Sequence, residues 1–252
     1  MIDRTVVLEK IEAIGIIRLN RPETGNAINE QVAAELTDIC HQINIDDAIR
    51  VVIVTGAGHR LFSIGSEINK RAGKKVRLIS VATPIAALRC PTIAAINGDA
   101  LGQGLEMALA CDIRISANKA RFALPQITSA LLPWDGGTQR LLRIVGITEA
   151  MNMVLTGDII SAREALRIGL VSKVVTADEL MPQVKNMAQL MASQSPLALS
   201  FAKEAIHKGM DMTLEQGLHL EADHYFLLHT TADRTEGIKA FMEKRPPKFK
   251  GK

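Results

Sequence analysis

Over its first half the chain alternates short, β-branched apolar runs with stretches of helical spacing, and this alternation confines it to an α/β layer architecture. Residues 5–9 and 14–19 read as strands joined by a turn near Ala13, and residues 51–55 form a compact apolar run that ends at Gly56. Between them Asn29 is placed to cap a helix running to about Ile43, with Val32, Leu36, Ile39 and Ile43 at helical spacing. Residues 92–96 read as a further buried strand, followed by Asn97-Gly98 and a helix over 104–110; residues 113–115 and 121–123 read as short strands. From about Gly137 the pattern becomes almost wholly helical, over 137–145, 148–155, 162–168, 180–193, 196–208, 213–229 and 235–243, with one strand at 172–175. This late helical region is expected to pack against a partner rather than to form a second catalytic domain.

Composition narrows the function classes. With 47% hydrophobic and 23% charged residues, the chain is neither disordered nor collagen-like. A formal net charge of +3, with six Phe, one Tyr and one Trp, supplies little for a nucleic-acid surface built on stacked bases, so nucleic acid is not an expected partner. Cys40, Cys90 and Cys111 are far apart, odd in number and set among apolar residues, which suggests buried free thiols in a reducing compartment. The start lacks the apolar core of a signal peptide, and no apolar stretch approaches the roughly 18 residues that cross a bilayer. A cytoplasmic protein with no membrane partner is expected. His219, His224 and His229 are five apart and do not share a helix face, so no metal site is expected. Residues 52–58 superficially match the strand-to-glycine entry of a dinucleotide fold, but the full glycine pattern is missing.

Three segments combine glycines with isolated polar groups: residues 62–68, 97–106 and 132–140. In the second, Gly102 and Gly104 end a strand and open a helix, where free backbone N–H groups suit an anion. Glu106 follows between Leu105 and Met107-Ala108-Leu109-Ala110. A carboxylate in so apolar a run should lose solvation and gain proton affinity, which makes it a candidate proton shuttle; the plainer alternative is a helix-start Glu that points to water. In the third segment Asp135 stands where it could cap the next helix, beside Trp134, the single Trp. Lys70, Arg71, Lys74, Lys75 and Arg77 form a basic cluster, either a solvated helix face or a phosphate-binding patch.

Taken together, these segments in this order and spacing resemble the crotonase superfamily, the enoyl-CoA hydratase/isomerase family. The likeness extends from Leu19-Asn20-Arg21-Pro22 through residues 51–56, 62–68, 95–112 and 122–140 to 155–162, 165–171, 233–237 and 241–245. It implies an α/β fold, a crotonase-like spiral of ββα units that carries the active site over residues 1–195. A C-terminal helical trimerisation region over 196–252 would build a homo-oligomer, a trimer or a dimer of trimers. The implied substrate is an acyl-CoA thioester, with coenzyme A belonging to the substrate and no separate cofactor. By position, the backbone N–H groups of Ser66 and Gln103 form the oxyanion hole. Ile64, Ser66, Glu67 and Ile68 match contacts to the adenine and pantetheine, Phe241 and Lys244 match positions that reach CoA from the C-terminal region, and the basic cluster near Lys70 would assist with its phosphates.

Hydratases of the family use two glutamates. The first matches Glu106; the second matches Gln126, whose carboxamide can orient a water but cannot take its proton. Asp135 stands where the family has a small or apolar residue, and where dienoyl-CoA isomerases and a haloaroyl-CoA dehalogenase carry a catalytic Asp. The expectation is therefore that the second carboxylate has moved from position 126 to 135. Gln103 replaces the usual middle glycine, so its side chain must be housed beside the oxyanion site. Trp134 replaces another glycine and should wall the acyl pocket, which points to a cyclic or conjugated acyl group. The expected activity is hydration or dehydration of an α,β-unsaturated acyl-CoA, with Glu106 and Asp135 dividing the acid and base work. The alternatives are enoyl- or dienoyl-CoA isomerisation, thioester hydrolysis or dehalogenation through Asp135, and a non-catalytic RNA- or protein-binding member of the family.

Overall fold

The computed structural model describes residues 4–67 and 79–252. Strands β1 (Val6–Ile11) and β2 (Ile14–Leu19) pair antiparallel, and Asn29 caps α1 (Glu30–Ile45) by accepting from Val32 N at 3.0 Å. Then follow β3 (Val51–Gly56), β4 (Leu61–Ser63), α2 (Ala82–Ala86), β5 (Thr92–Ile96), β6 (Asp99–Leu101), α3 (Gln103–Leu109), β7 (Ile113–Ala117) and β8 (Arg121–Ala123). The rest comprises α4 (Gly137–Val145), α5 (Ile147–Thr156), β9 (Ile160–Ser161), α6 (Ala162–Arg167), β10 (Lys173–Val175), α7 (Ala177–Ala192), α8 (Pro196–Gly209), α9 (Leu214–His229) and α10 (Ala232–Met242).

The strands divide between a six-stranded sheet, ordered β1-β2-β3-β5-β7-β10, and a four-stranded sheet, ordered β4-β6-β8-β9. Each of β3, β5 and β7 lies in the large sheet and hands directly to β4, β6 or β8 in the small one, so every turn of the chain adds one strand to each layer. Within β3 the alternation of side chains assigns the two faces. Val52 and Val54 join Phe62, Ile96, Leu105 and Phe122 in the inner core. Val51 and Ile53 pack with Ile93 and Ile115 against Leu180, Val184 and Ala188 of α7. Burial on both faces is why these strands read as continuous apolar runs rather than alternating ones.

Three strands escape a reading by pattern. β4, β6 and β9 span three, three and two residues, too short for a period of two to show, yet the first two carry the small sheet. The spacing places the α7 helix from residue 180, whereas it begins at Ala177 because Thr176 and Glu179 form a reciprocal capping box. Likewise α10 begins at Ala232 rather than 235, with Thr231 capping it through Arg234 N.

The three cysteines are free, with Cys40 and Cys111 buried and Cys90 half-buried; burial pushes their thiols up to about 12, 12 and 11, which suits inert core residues. Helices α8 and α9 bury no residue within the chain and leave Tyr225, Phe226 and Leu227 exposed. The C-terminal segment Lys244–Lys252, with five Lys or Arg and two Pro, is nevertheless tied down: Asp233 accepts from Ser195 Oγ, Lys250 N and Gly251 N, Glu236 accepts from Arg245 and Lys248 N, and Arg50 donates to Phe249 O.

Gly104 sets how closely α3 approaches β4, since a Cβ there would lie 2.6 Å from both Cβ and O of Ser63. Gly104→Ala should therefore force the two apart and cost about 1–3 kcal/mol. Thermal unfolding should show Tm several degrees lower, at roughly 2–4 °C per kcal/mol for a domain of this size.

Candidate active site

Strands β4, β6 and β8 run parallel as neighbours, so their C-terminal ends open on one side of the small sheet. From these ends emerge Ile64-Gly65-Ser66, then Gly102 leading into α3, and finally Leu124 leading into the 3₁₀ turn Pro125–Ser129 that carries Gln126. Ligands of parallel sheets gather at such ends.

Two glycines bring the first two segments into contact. Gly65 has φ +90°, and a Cβ on it would lie 2.7 Å from Leu101 O and 3.0 Å from Gln103 N. Gly102 turns the chain into α3 with φ +52°. Ile28 N donates to Gly65 O at 2.8 Å and Glu67 N to Ile28 O at 2.7 Å, a parallel bridge that leaves the intervening Ser66 N–H with no acceptor among the described residues. The Gln103 N–H, at the first position of α3, likewise donates to no acceptor among the described residues. Two amides beside one another with no acceptor can hold one oxygen.

One turn along α3, on the same face as Gln103, Glu106 is 0% exposed. Its Oε1 accepts from Asp135 N and Gly137 N, both at 2.8 Å, and its Oε2 accepts from Gln126 Nε2 at 3.1 Å. Gly137 is required there, because a Cβ would stand 2.9 Å from Glu106 Oε1. Loss of solvent pushes the Glu106 carboxyl above the usual carboxylate range, and the amides of Gly137 and Asp135 only partly oppose this. No Lys or Arg pairs with it among the described residues. The side chain thus faces the interior and not water. Gln126 completes the arrangement, since its Oε1 is buried and has no partner, an acceptor beside a proton-hungry carboxylate.

Asp135 departs from expectation in two ways. It does not cap α4, whose capping residue is Gly136 with φ +97°. Its carboxylate is also engaged by protein donors. Oδ1 accepts from Ser80 Oγ, and Oδ2 accepts from Val81 N at 2.8 Å, Ala82 N at 3.0 Å and Gln103 Nε2 at 3.0 Å. Three donors thus crowd Oδ2 and one reaches Oδ1, and together they hold the group in place. What Asp135 directs at Glu106 is its backbone N–H.

The side chain of Gln103 is held between these groups: Nε2 also donates to Ile79 O at 2.6 Å, and Oε1 accepts from Ser66 Oγ at 2.8 Å. Ile64 is 44% exposed, and Glu67 pairs with Arg21 at 2.9 Å and accepts from Asn29 at 3.2 Å. Trp134 is 41% exposed and follows the exposed Leu131 and Leu132, so it lies at an open apolar edge rather than in the core. Phe241, at 85% exposed, and Lys244 make no hydrogen bond or ion pair to the site among the described residues. Ile68 and the basic cluster from Lys70 to Arg77 lie outside the described residues. Among the described residues no cluster of His, Cys, Asp and Glu could hold a metal ion. Sequence reasoning does not reveal Ser80, Val81, Ala82 or the Gly137 amide, because each acts across a sequence gap on an acid that shows no such pairing in its own neighbourhood.

Comparison with known proteins accounts for this geometry. Residues 9–252 match the family model described as enoyl-CoA hydratase/isomerase. The chain is 40% identical to a crotonyl-CoA hydratase of Syntrophomonas wolfei, over 97% of each chain. It is 41% identical to an (E)-benzylidenesuccinyl-CoA hydratase of Thauera aromatica, over 98% of this chain and 99% of that one. The crystal structure of an enoyl-CoA hydratase from Bacillus anthracis superposes with a TM-score of 0.93 at 39% identity, over 98% of this chain and 100% of that one. With the match running nearly end to end in sequence and fold, and the paired amides and buried glutamate in place, the chain belongs to the enoyl-CoA hydratase/isomerase family.

Proposed function

We propose that the protein is an enoyl-CoA hydratase that works with a single proton-carrying carboxylate. The observation that carries this reading is Glu106, fully buried, with no ion pair among the described residues, oriented by two backbone amides and one carboxamide, one helical turn from the Gln103 amide, which has no acceptor among those residues. The thioester oxygen of an α,β-unsaturated acyl-CoA sits between the N–H groups of Ser66 and Gln103. Glu106 takes a proton from a water that Gln126 Oε1 also holds. The water oxygen bonds to the β-carbon, and the π electrons move through the α-carbon onto the thioester oxygen, where the amides stabilise the enolate. Glu106 then returns its proton to the α-carbon, so atoms and charge balance around one acid. Each oxyanion donor is worth about 10²–10³ in rate.

Gln126 favours one further reading, isomerisation of an enoyl-CoA double bond. It needs the same enolate and a single base, and Gln126 supplies no second one. Hydrolysis or dehalogenation through Asp135 is disfavoured, because four protein donors hold its carboxylate in place. The exposed Trp134, beside Leu131 and Leu132, supports a cyclic or conjugated acyl group laid against a broad apolar edge. Ile64, Glu67 and Ile68 are assigned to the CoA moiety, with Phe241 and Lys244 reaching it from the C-terminal region. The exposed apolar faces of α8 and α9 support a division into a catalytic core over 1–195 and an oligomerisation region over 196–252, in a trimer or dimer of trimers. No helix among the described residues is long and apolar enough to cross a membrane, in keeping with a cytoplasmic enzyme whose CoA belongs to its substrate.

Turnover in H₂¹⁸O decides between the readings: hydration places the label on the β-carbon, and isomerisation leaves the product unlabelled. Glu106→Gln should lower turnover by about 10²–10⁴ in either case. The fold binds the Glu106 proton more tightly than the unfolded chain does, so stability falls as pH rises from the unfolded value, about 4.3, through the raised folded value. At pH 7–8 the neutral amide removes that penalty, and Glu106→Gln should unfold at a Tm no lower than the wild type. The same elevation sets the pH profile: kcat/KM should fall on the acid side at a pH above the ordinary carboxylate range, and that limb should vanish in Glu106→Gln.

A further inference from the structure

The reading above leaves Asp135 a buried acid with no part in proton traffic, and Gln103 a buried carboxamide where only its backbone N–H is needed. Their side chains meet. Gln103 Nε2 donates to Asp135 Oδ2 at 3.0 Å, and Gln103 Oε1 accepts from Ser66 Oγ at 2.8 Å. A single directed chain therefore runs from the residue bearing one oxyanion amide, through the side chain of the residue bearing the other, to Asp135. The backbone of Asp135 continues it, its N–H donating to Glu106 Oε1 at 2.8 Å.

We propose that Asp135 is a positioning residue, whose carboxylate fixes the two oxyanion amides through Gln103 and Ser66 while its backbone N–H fixes the base, so that one residue sets their separation. The proposal rests on the hydratase reading and adds what holds its parts in register. The need for such a hold is local. Gly65 and Gly102 flank the two donor peptides at φ +90° and +52°, and glycine leaves its neighbours conformationally free. Ser66 N–H has no acceptor among the described residues, and the Ser66 hydroxyl, bonded to Gln103 Oε1, is the group through which that residue is restrained. Asp135 is itself immobilised by Ser80 Oγ, Val81 N and Ala82 N, and by Arg140, which donates to its carbonyl at 2.9 Å. An anchor held from this many sides transmits position to the groups bonded to it.

An acceptor at position 135 also fits the polarity of the chain. Its four partners all donate, and Gln103, having given Nε2, must present Oε1 to Ser66, whose hydroxyl then donates. An Asn at 135 would set an amide donor against one or more of these donors and leave the Gln103 carboxamide without a fixed orientation.

The test compares the wild type, Asp135→Asn, Gln103→Leu and the double variant, using cinnamoyl-CoA, whose absorbance moves to longer wavelength when its thioester carbonyl is polarised. The wild type should shift the band of the bound thioester. Asp135→Asn should reduce that shift and lower kcat about 10- to 100-fold at nearly unchanged KM, the scale of a small misplacement of reacting groups. Gln103→Leu keeps the backbone amide and leaves residues 80–82 clamped, so it should reproduce this loss even if Asp135→Asn folds poorly. The double variant should be no worse than either single one, because both cut the same chain. The acid limb of the pH profile should persist in every variant. A band shift that survives in both single variants, losses that multiply in the double variant, or disappearance of the acid limb in Asp135→Asn would each overturn the positioning role. A wild type that leaves the band unshifted overturns the oxyanion reading itself and the proposal with it, a failure distinct from the other three.

Discussion

Everything at this site follows from burying one carboxylate that forms no ion pair among the described residues. Removing an ionised acid from water costs several kcal/mol, and a partner Lys or Arg would recover part of that cost while destroying the basicity. Glu106 is instead stabilised by dipoles: two amides on one oxygen and a carboxamide on the other. These hold the side chain in place yet leave its proton affinity raised. The energetic penalty and the chemical usefulness are the same quantity, seen once from folding and once from catalysis.

The scaffold makes such a burial possible by close approach. Gly65, Gly104 and Gly137 stand where a methyl group would meet Gln103 N, Ser63 and Glu106 Oε1 respectively. Because β4, β6 and β8 are adjacent and parallel, the three segments that follow them converge without any long excursion. The six-stranded sheet supplies the mass of the core, and the small sheet of three-residue strands supplies the geometry.

Much of this was legible in the chain itself. The apolar run at β3, the Asn29 cap and the helical second half follow from periodicity and capping, which are local. Glu106 stood out because its neighbours are apolar, and its zero exposure agrees with that reading. The strands β4 and β6 are too short to carry a pattern, and they are specified by their neighbours in space. The partners of Asp135 escape the sequence for a related reason. Its proximity in sequence to Gly136 and Gly137 suggested a cap, and its match to acids elsewhere in the family suggested proton transfer. Its actual partners lie at Ser80, Val81, Ala82 and Gln103, and hydrogen bonds across such separations leave no periodic trace.

Gln103 and Asp135 are best understood as one substitution in two places. A carboxamide at 103 facing an apolar group would bury an unsatisfied donor, at about 1–3 kcal/mol, and a carboxylate at 135 without its donors would be costlier still. Each is tolerable because the other is present. In the proposed reading this pairing separates the two acids of the site: Asp135 faces the donors of residues 80–82 and Gln103, whereas Glu106 faces two amides and Gln126. The proposed base and the proposed anchor are two carboxylates within one small site, distinguished by which atoms of the protein reach them first.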